Sequence, residues 1–471
     1  MFFRQRENAF RRAFSLASMF LIGGLSFNLQ AQTEIAVNKI NTEKPLVISE
    51  SEAAKSLVAS VLPKYYNLQD GLTPAKLIER ALQANGELVA VRIEIEKAKA
   101  RLRQARLRPN PTLELEQASG RLLGSGGDGE LSVGASLPLE LYGRRKSRIE
   151  LAEIEIRARE AEVANFERRV AGEVLLNYGE ALAALREIEV LENILELDLQ
   201  TTRFVQIRVN EGDAAPLELN LLRVEVERLR SKKELAEGRL QAALTKIKLI
   251  SGMPFEESLQ LGELISTAVL PQIPTTIETA VDVALRTRPD IQLAQIEEDL
   301  ATAGLRLIRA NSKPDFTAYT RYSQGRSSFD NTPIGELSSR ERALTFGVSI
   351  GIPVFNKNQG AKAEAELSIK QAQARRDFAE KVVRSEIVIA FQKYEAARRA
   401  LVTLETGVIR NSEQNLTVFR QVYEIGEIKI TDLIAEQRRL LDANRDLTEV
   451  LTERYRAQVE LLIALGAISF K

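Results

Sequence analysis

The sequence predicts a mainly α protein with a small β part, built from one unit of two strands and long helices that occurs twice. Three observations predict it. Two long runs, Leu139 to Ala215 and Val354 to Lys471, contain no proline and are rich in Ala, Leu, Glu, Arg and Gln, all good helix formers. Segments alternating with period two precede each run. The two halves align at near-constant offsets: ALQANGEL (81–88) on ALRTRPDI (284–291) at 203, LSVGASL (131–137) on LTFGVSI (344–350) at 213, and Gly212 on Gly426 at 214. From each of those glycines, forty residues lead to a second one, Gly252 and Gly466. A repeat this long makes the fold a duplication.

In order along the chain, Arg4, Arg6, Arg11 and Arg12 precede an apolar stretch from Ala13 to Leu29, and Ala31 offers a small residue at a cleavage point. Residues 1–31 are expected to be a signal peptide, with a membrane anchor as the other reading. Residues 32–72 form an N-terminal extension and 253–274, with Pro254, Pro271 and Pro274, a linker. Between them lie the repeats, 73–252 and 275–467. Each opens with a helix expected as one piece, roughly 74–108 and 276–311. Thr73 and Pro74 cap the first; Thr275 and Glu278 fit a capping box at the second. Leu113 and Leu115, then Leu131, Val133, Ala135 and Leu137, then Phe346, Val348 and Ile350 each alternate with polar residues or glycine. Polar loops, GSGGDG (124–129) and SSFDNTPIGELSS (327–339), join the strands. The first loop lacks the Lys-Ser/Thr and helix start of a phosphate cradle. A very long helix follows in each half. Leu141 to Arg208 alone would span about 100 Å and must pack as a coiled coil. Turns at Glu211, Gly212 and Asp213, and at Gly426 and Glu427, lead into return helices.

Composition narrows the chemistry. The 65 basic residues balance 65 acidic ones, and there is no Cys, His or Trp. No polyanion partner is implied, so no nucleic acid is expected. Imidazole bases, thiol nucleophiles and the common soft metal ligands are missing. No enzymatic activity and no cofactor are expected. After the N-terminal segment no run reaches the length of a membrane-spanning helix, so a membrane could be crossed only by strands. Four strands cannot close a barrel, and an open sheet in lipid leaves backbone groups unsatisfied at both edges. Several chains would then have to pool their strands.

At this point the chain resembles the TolC family of outer membrane efflux proteins over roughly residues 70–470. The motifs are RPNPTLELE (108–116), SLPLELYGRRKSRI (136–149), YEIGEIKITDL (423–433), and two terminal helices ending LISG and IALG. RPNP and LPLELYGRR are most similar to the CzcC-type branch, which serves heavy-metal efflux. The resemblance implies a homotrimer with a twelve-stranded outer-membrane barrel continuous with a periplasmic helical barrel. It implies a periplasmic adaptor (membrane fusion protein) and an inner-membrane transporter of the resistance-nodulation-division (RND) type as partners, in a Gram-negative bacterium, with most of the mass in the periplasm. It places Asp432 and Tyr423 at a periplasmic aperture, with Glu218 as the first-half equivalent of Asp432. A carboxylate ring there would favour cations; the bland reading is solvated surface or hydrogen bonding near a helix start. The turns Glu211, Gly212, Asp213, Gly426 and Glu427 become docking tips for adaptor or pump. Where the family carries a second aspartate and a basic gate partner, this chain has Ala435 and Ile428.

Arg144, Arg145, Lys146 and Arg148 stand at a helix N-terminus, where cations oppose the macrodipole. With Tyr142 and Phe355 as girdle aromatics they read either as anchors in outer membrane lipid or as a solvated basic face. The expected activity is a passive exit duct, with metal cations as cargo. Drug-like molecules or secreted polypeptides are the alternative cargo, and a soluble periplasmic coiled-coil scaffold is the alternative class.

Overall fold

The computed structural model describes residues 60–119, 129–329 and 337–466. The expected signal peptide, most of the N-terminal extension and most of the glycine-rich loop lie outside the described residues. After a short helix α1 (Leu62–Tyr65), the first repeat runs α2 (Pro74–Ala84), α3 (Gly86–Arg106), β1 (Thr112–Ser119), β2 (Gly129–Leu139), α4 (Arg144–Glu211) and α5 (Pro216–Ile250). The second runs α6 (Ile277–Thr287), α7 (Pro289–Asn311), β3 (Asp315–Phe329), β4 (Leu337–Gly351), α8 (Gln359–Thr403), a π-helical turn (Leu404–Ile409), α9 (Arg410–Glu424) and α10 (Ile430–Leu465). The 68-residue α4 extends about 100 Å.

The opening helix of each repeat is not one piece. It breaks at Asn85 and at Arg288, both extended, and these positions align at the 203 offset. The breaks serve the other end of the same repeat. Asn85 Nδ2 donates to Ile250 O at 2.9 Å, while its Oδ1 caps α3 through Leu88 N–H. Arg288 Nη1 donates to Ala464 O at 3.1 Å and Thr287 Oγ1 to Leu465 O at 2.8 Å. Carbonyls that the last helical turn leaves orphaned are thus satisfied by the repeat's own first helix. Gly252 and Gly466 follow in left-handed conformation, and a Cβ on Gly252 would lie 2.5 Å from Ala84 O. The cap of α6 is also one residue later than expected. Thr276, not Thr275, accepts from Thr279 N–H, because its backbone is the last extended one.

The one-residue change in offset, from 213 at the strands to 214 at the turns, has a local cause. Buried positions match at 213 through Val170/Val383, Val174/Ile387, Ala184/Ala397 and Ile188/Leu401. Beyond the π turn they match at 214. An i→i+5 turn houses one extra residue without rotating the helix that follows, so Leu404–Ile409 absorbs the insertion.

The sheet has order β1-β2-β3-β4, antiparallel throughout, with β1 and β4 as its edges. Its register sorts the side chains. Leu113, Leu115, Leu131, Val133, Leu137, Phe316, Tyr322, Leu344, Phe346, Val348 and Ile350 share one face. Glu114, Glu116, Ser132 and Arg321 share the other, where Arg321 lies between the two glutamates at 3.7 and 3.5 Å. β3 ends and β4 begins within the stretch read as a loop, since pairing continues to Phe329 and Leu337. No helix of the described residues is long and apolar enough to cross a membrane. Near the middle of the helices, residues 60–72 and the linker pair through Leu261 with Tyr65, Asn67 and Leu72. Arg80 holds Glu257 with two hydrogen bonds of 2.9 Å.

Candidate functional site

The helix-hairpin turns are twins. Asp213 N–H donates to Arg208 O and Glu427 N–H to Val422 O. Gly212 and Gly426 have φ of 84° and 82°, and the space where a Cβ would stand is open at both. Backbone conformation, not crowding, therefore requires glycine there. Glu211, Asp213 and Glu427 are exposed around these turns.

Above the turns, Val205, Leu219, Leu222, Leu416, Tyr423, Ile430, Leu433 and Ile434 form one buried cluster that packs the two hairpins together. Tyr423 sits in it, and its hydroxyl donates to Glu218 Oε2 at 3.0 Å. Burial and that carboxylate push the phenol's pKa well up, so it stays a donor. Two of the three residues expected at an aperture are thus brought together. Asp432 is not with them. It is exposed, and its Oδ2 accepts the Lys429 N–H at 3.3 Å at the start of α10. A carboxylate is favoured there by the helix dipole.

Sequence reasoning missed a polar junction higher up. Asp198 (α4) is only 1% exposed, and neither carboxylate oxygen has a hydrogen-bond partner. Glu225 (α5), also buried, faces it and is held by Arg438 (α10) at 2.6 Å and approached by Arg228 at 3.8 Å. Gln437 (α10) is the neighbour from the third helix, and its Oε1 also lacks a partner. Burial, then the Glu225 charge, push the Asp198 carboxyl up to about 7. A protonated Asp198 would supply the donor that Gln437 Oε1 lacks. The sequence carried a signal for it: Leu191, Leu195, Asp198, Thr201 and Val205 fall at core spacing, with an acid in the middle.

At the other end, Tyr142 and Gly143 take successive left-handed conformations and turn β2 into α4. Tyr142 is half exposed, with its ring 6.2 Å from that of Phe316; Phe355 is 92% exposed. The arginines have definite partners. Arg144 donates to Ala310 O, Lys313 O and Pro314 O and pairs with Asp315. Arg145 donates twice to Arg106 O. Arg148 donates to Ala105 O and Leu107 O and pairs with Glu140. The cations at the start of α4 therefore serve the carbonyl ends of its antiparallel neighbours α3 and α7, which resolves their conflict with its own dipole. Among the described residues, no cluster of three or more carboxylates could hold a metal ion.

The family described as "Outer membrane efflux protein" matches residues 77–253 and 280–467. The chain is 24% identical over 337 residues to the cobalt-zinc-cadmium resistance protein CzcC of Cupriavidus metallidurans, covering 70% of this chain and 76% of that one. It is 22% identical over 345 residues to the outer membrane protein TolC of Vibrio cholerae, covering 72% and 77%. Among solved structures, CusC superposes with a TM-score of 0.70 at 21% identity, covering 85% of this chain and 93% of that chain.

Proposed function

Because the chain belongs to the outer membrane efflux protein family and has the fold of its channels, we propose that it is the exit duct of a tripartite pump that clears heavy-metal cations. In this reading three copies join edge to edge, β4 of one beside β1 of the next. The joined strands make an outer-membrane barrel that continues into a helical conduit in the periplasm. A periplasmic adaptor and an inner-membrane RND transporter engage the turns around Gly212 and Gly426 and supply the energy. The duct is no enzyme; it provides a path.

One observation carries this reading: an open sheet, apolar on one face, with both edge strands unpaired among the described residues, continuous with helices of about 100 Å. Lipid tolerates such edges only when they are paired. The cargo assignment is supported by the likeness to CzcC, which is named for cobalt, zinc and cadmium resistance. Tyr423 bonded to Glu218 is assigned as a gate bond, and Asp432 as a carboxylate of the aperture. The test is fractionation of the full chain with detergent-resistant trimers in the outer membrane, and deletion of the gene. Sensitisation to zinc, cobalt or cadmium is expected. A soluble monomer would overturn the duct; unchanged metal tolerance with altered drug tolerance would overturn the cargo.

A further inference from the structure

The register places three arginines on the apolar face of the sheet, at the end away from the helices. Arg326 stands directly opposite Arg340, and Arg342 is the diagonal neighbour, opposite Gln324. All three share their face with Tyr322, Leu344, Phe346 and Val348. All are exposed, and none has an ion-pair partner among the described residues. Like charges directly opposite on a sheet repel, so an anion bound between them would be stabilised.

Height along the strand says where that anion would be. Arg326 is eleven residues beyond Asp315 and Arg342 nine before Gly351. At about 3.4 Å per residue and a tilt of about 40°, they stand roughly 29 and 23 Å above the strand ends. An apolar band of about 25 Å would end between them. The arginines then straddle the level of the headgroups. The opposite rim of this face carries the aromatic rings of Tyr142 and Phe316 instead.

On the outer-membrane reading given above, we infer that Arg326, Arg340 and Arg342 form a docking surface for the phosphate groups of a phosphorylated glycolipid in the outer leaflet. Guanidinium groups match phosphate bidentately, and the bound phosphates neutralise the opposed charges. Nothing on this surface overlaps the conduit or the turns.

The experiment uses the full-length protein in nonionic detergent. Its melting temperature is measured against a bisphosphorylated diglucosamine lipid, the same lipid dephosphorylated, and inorganic phosphate. The wild type is expected to be stabilised by the first alone. In the R326Q/R340Q/R342Q variant, half-saturation should move at least tenfold to higher lipid, while its melting temperature without lipid is unchanged or higher. A variant that misfolds is replaced by Arg340→Gln alone, expected to shift the same curve severalfold. Equal lipid response in wild type and variant would overturn the inference. So would saturation by inorganic phosphate, which would make this a free-anion site. Loss of outer-membrane fractionation by the wild type would instead sink the duct reading on which the inference rests.

Discussion

Replacing Asp198 by Asn tests the buried junction of α4, α5 and α10. The carboxyl is pushed from 3.8 up to about 7 by burial first and by Glu225 second. Between those values the folded chain keeps a proton that the unfolded chain has released. Stability therefore falls as pH rises, by about 1.4 kcal/mol per pH unit, and levels off above about pH 7. Asn has the same shape and cannot ionise. Its advantage over Asp should be greater at pH 8 than at pH 5 by about 3 kcal/mol. The Glu225–Arg438 pair is left in place, and the variant removes the Glu225 repulsion along with the burial cost. The assay is helical circular dichroism during heating of detergent-solubilised protein, at one scan rate and both pH values. The variant should melt well above wild type at pH 8 and closer to it at pH 5. An equal offset at both pH values, or a variant less stable at both, would refute the assignment of Asp198 as the proton-holding group.

Tyr423→Phe removes the donor to Glu218, a hydrogen bond to a carboxylate worth about 1.5–3 kcal/mol; single-channel recordings in planar bilayers should show a more open periplasmic end, and unchanged conductance would remove Tyr423 from the gate. Gly179→Ala puts a Cβ 2.5 Å from the Tyr455 ring and should cost about 1–3 kcal/mol by overpacking. Adding Tyr455→Leu should restore most of the lost melting temperature. Deleting Gly407 from the π turn should convert it to ordinary α-helix and leave folding and oligomer bands intact, whereas deleting Gln392 should rotate Leu416 and Tyr423 off their core and abolish both bands.

The strands, the duplication and the turn glycines were legible because each rests on local chemistry: period two, helix formers, and positive φ. The faces of β1, β2 and β4 followed from alternation; that of β3 is set by its pairing with β2 and β4. What stayed hidden depends on partners distant in sequence. Nothing near Asn85 forbids helix, yet it breaks there because its amide is needed at Ile250. At Arg288 the following proline was a local hint, since it disfavours helix in the residue before it. The arginines of α4 looked misplaced until α3 and α7 brought their carbonyl ends alongside. Tyr423 and Glu218 were each singled out, but their bond spans 205 residues. Asp198 was overlooked because a charged residue at core spacing reads as an irregularity until its neighbours on α5 and α10 are seen.

Each half closes its own final helix against its own first one, while the two halves share one core. Covalent fusion freed the halves to diverge, and at the turns they have done so: Val209 occupies the place that Tyr423 holds in its twin, and Asp432 the place of Glu218. A donor on one half and an acceptor on the other can then meet once per polypeptide. In the trimer proposed above, the sixfold likeness of the halves is thereby broken to threefold, and a lock built from unlike parts becomes available to a molecule made of like ones.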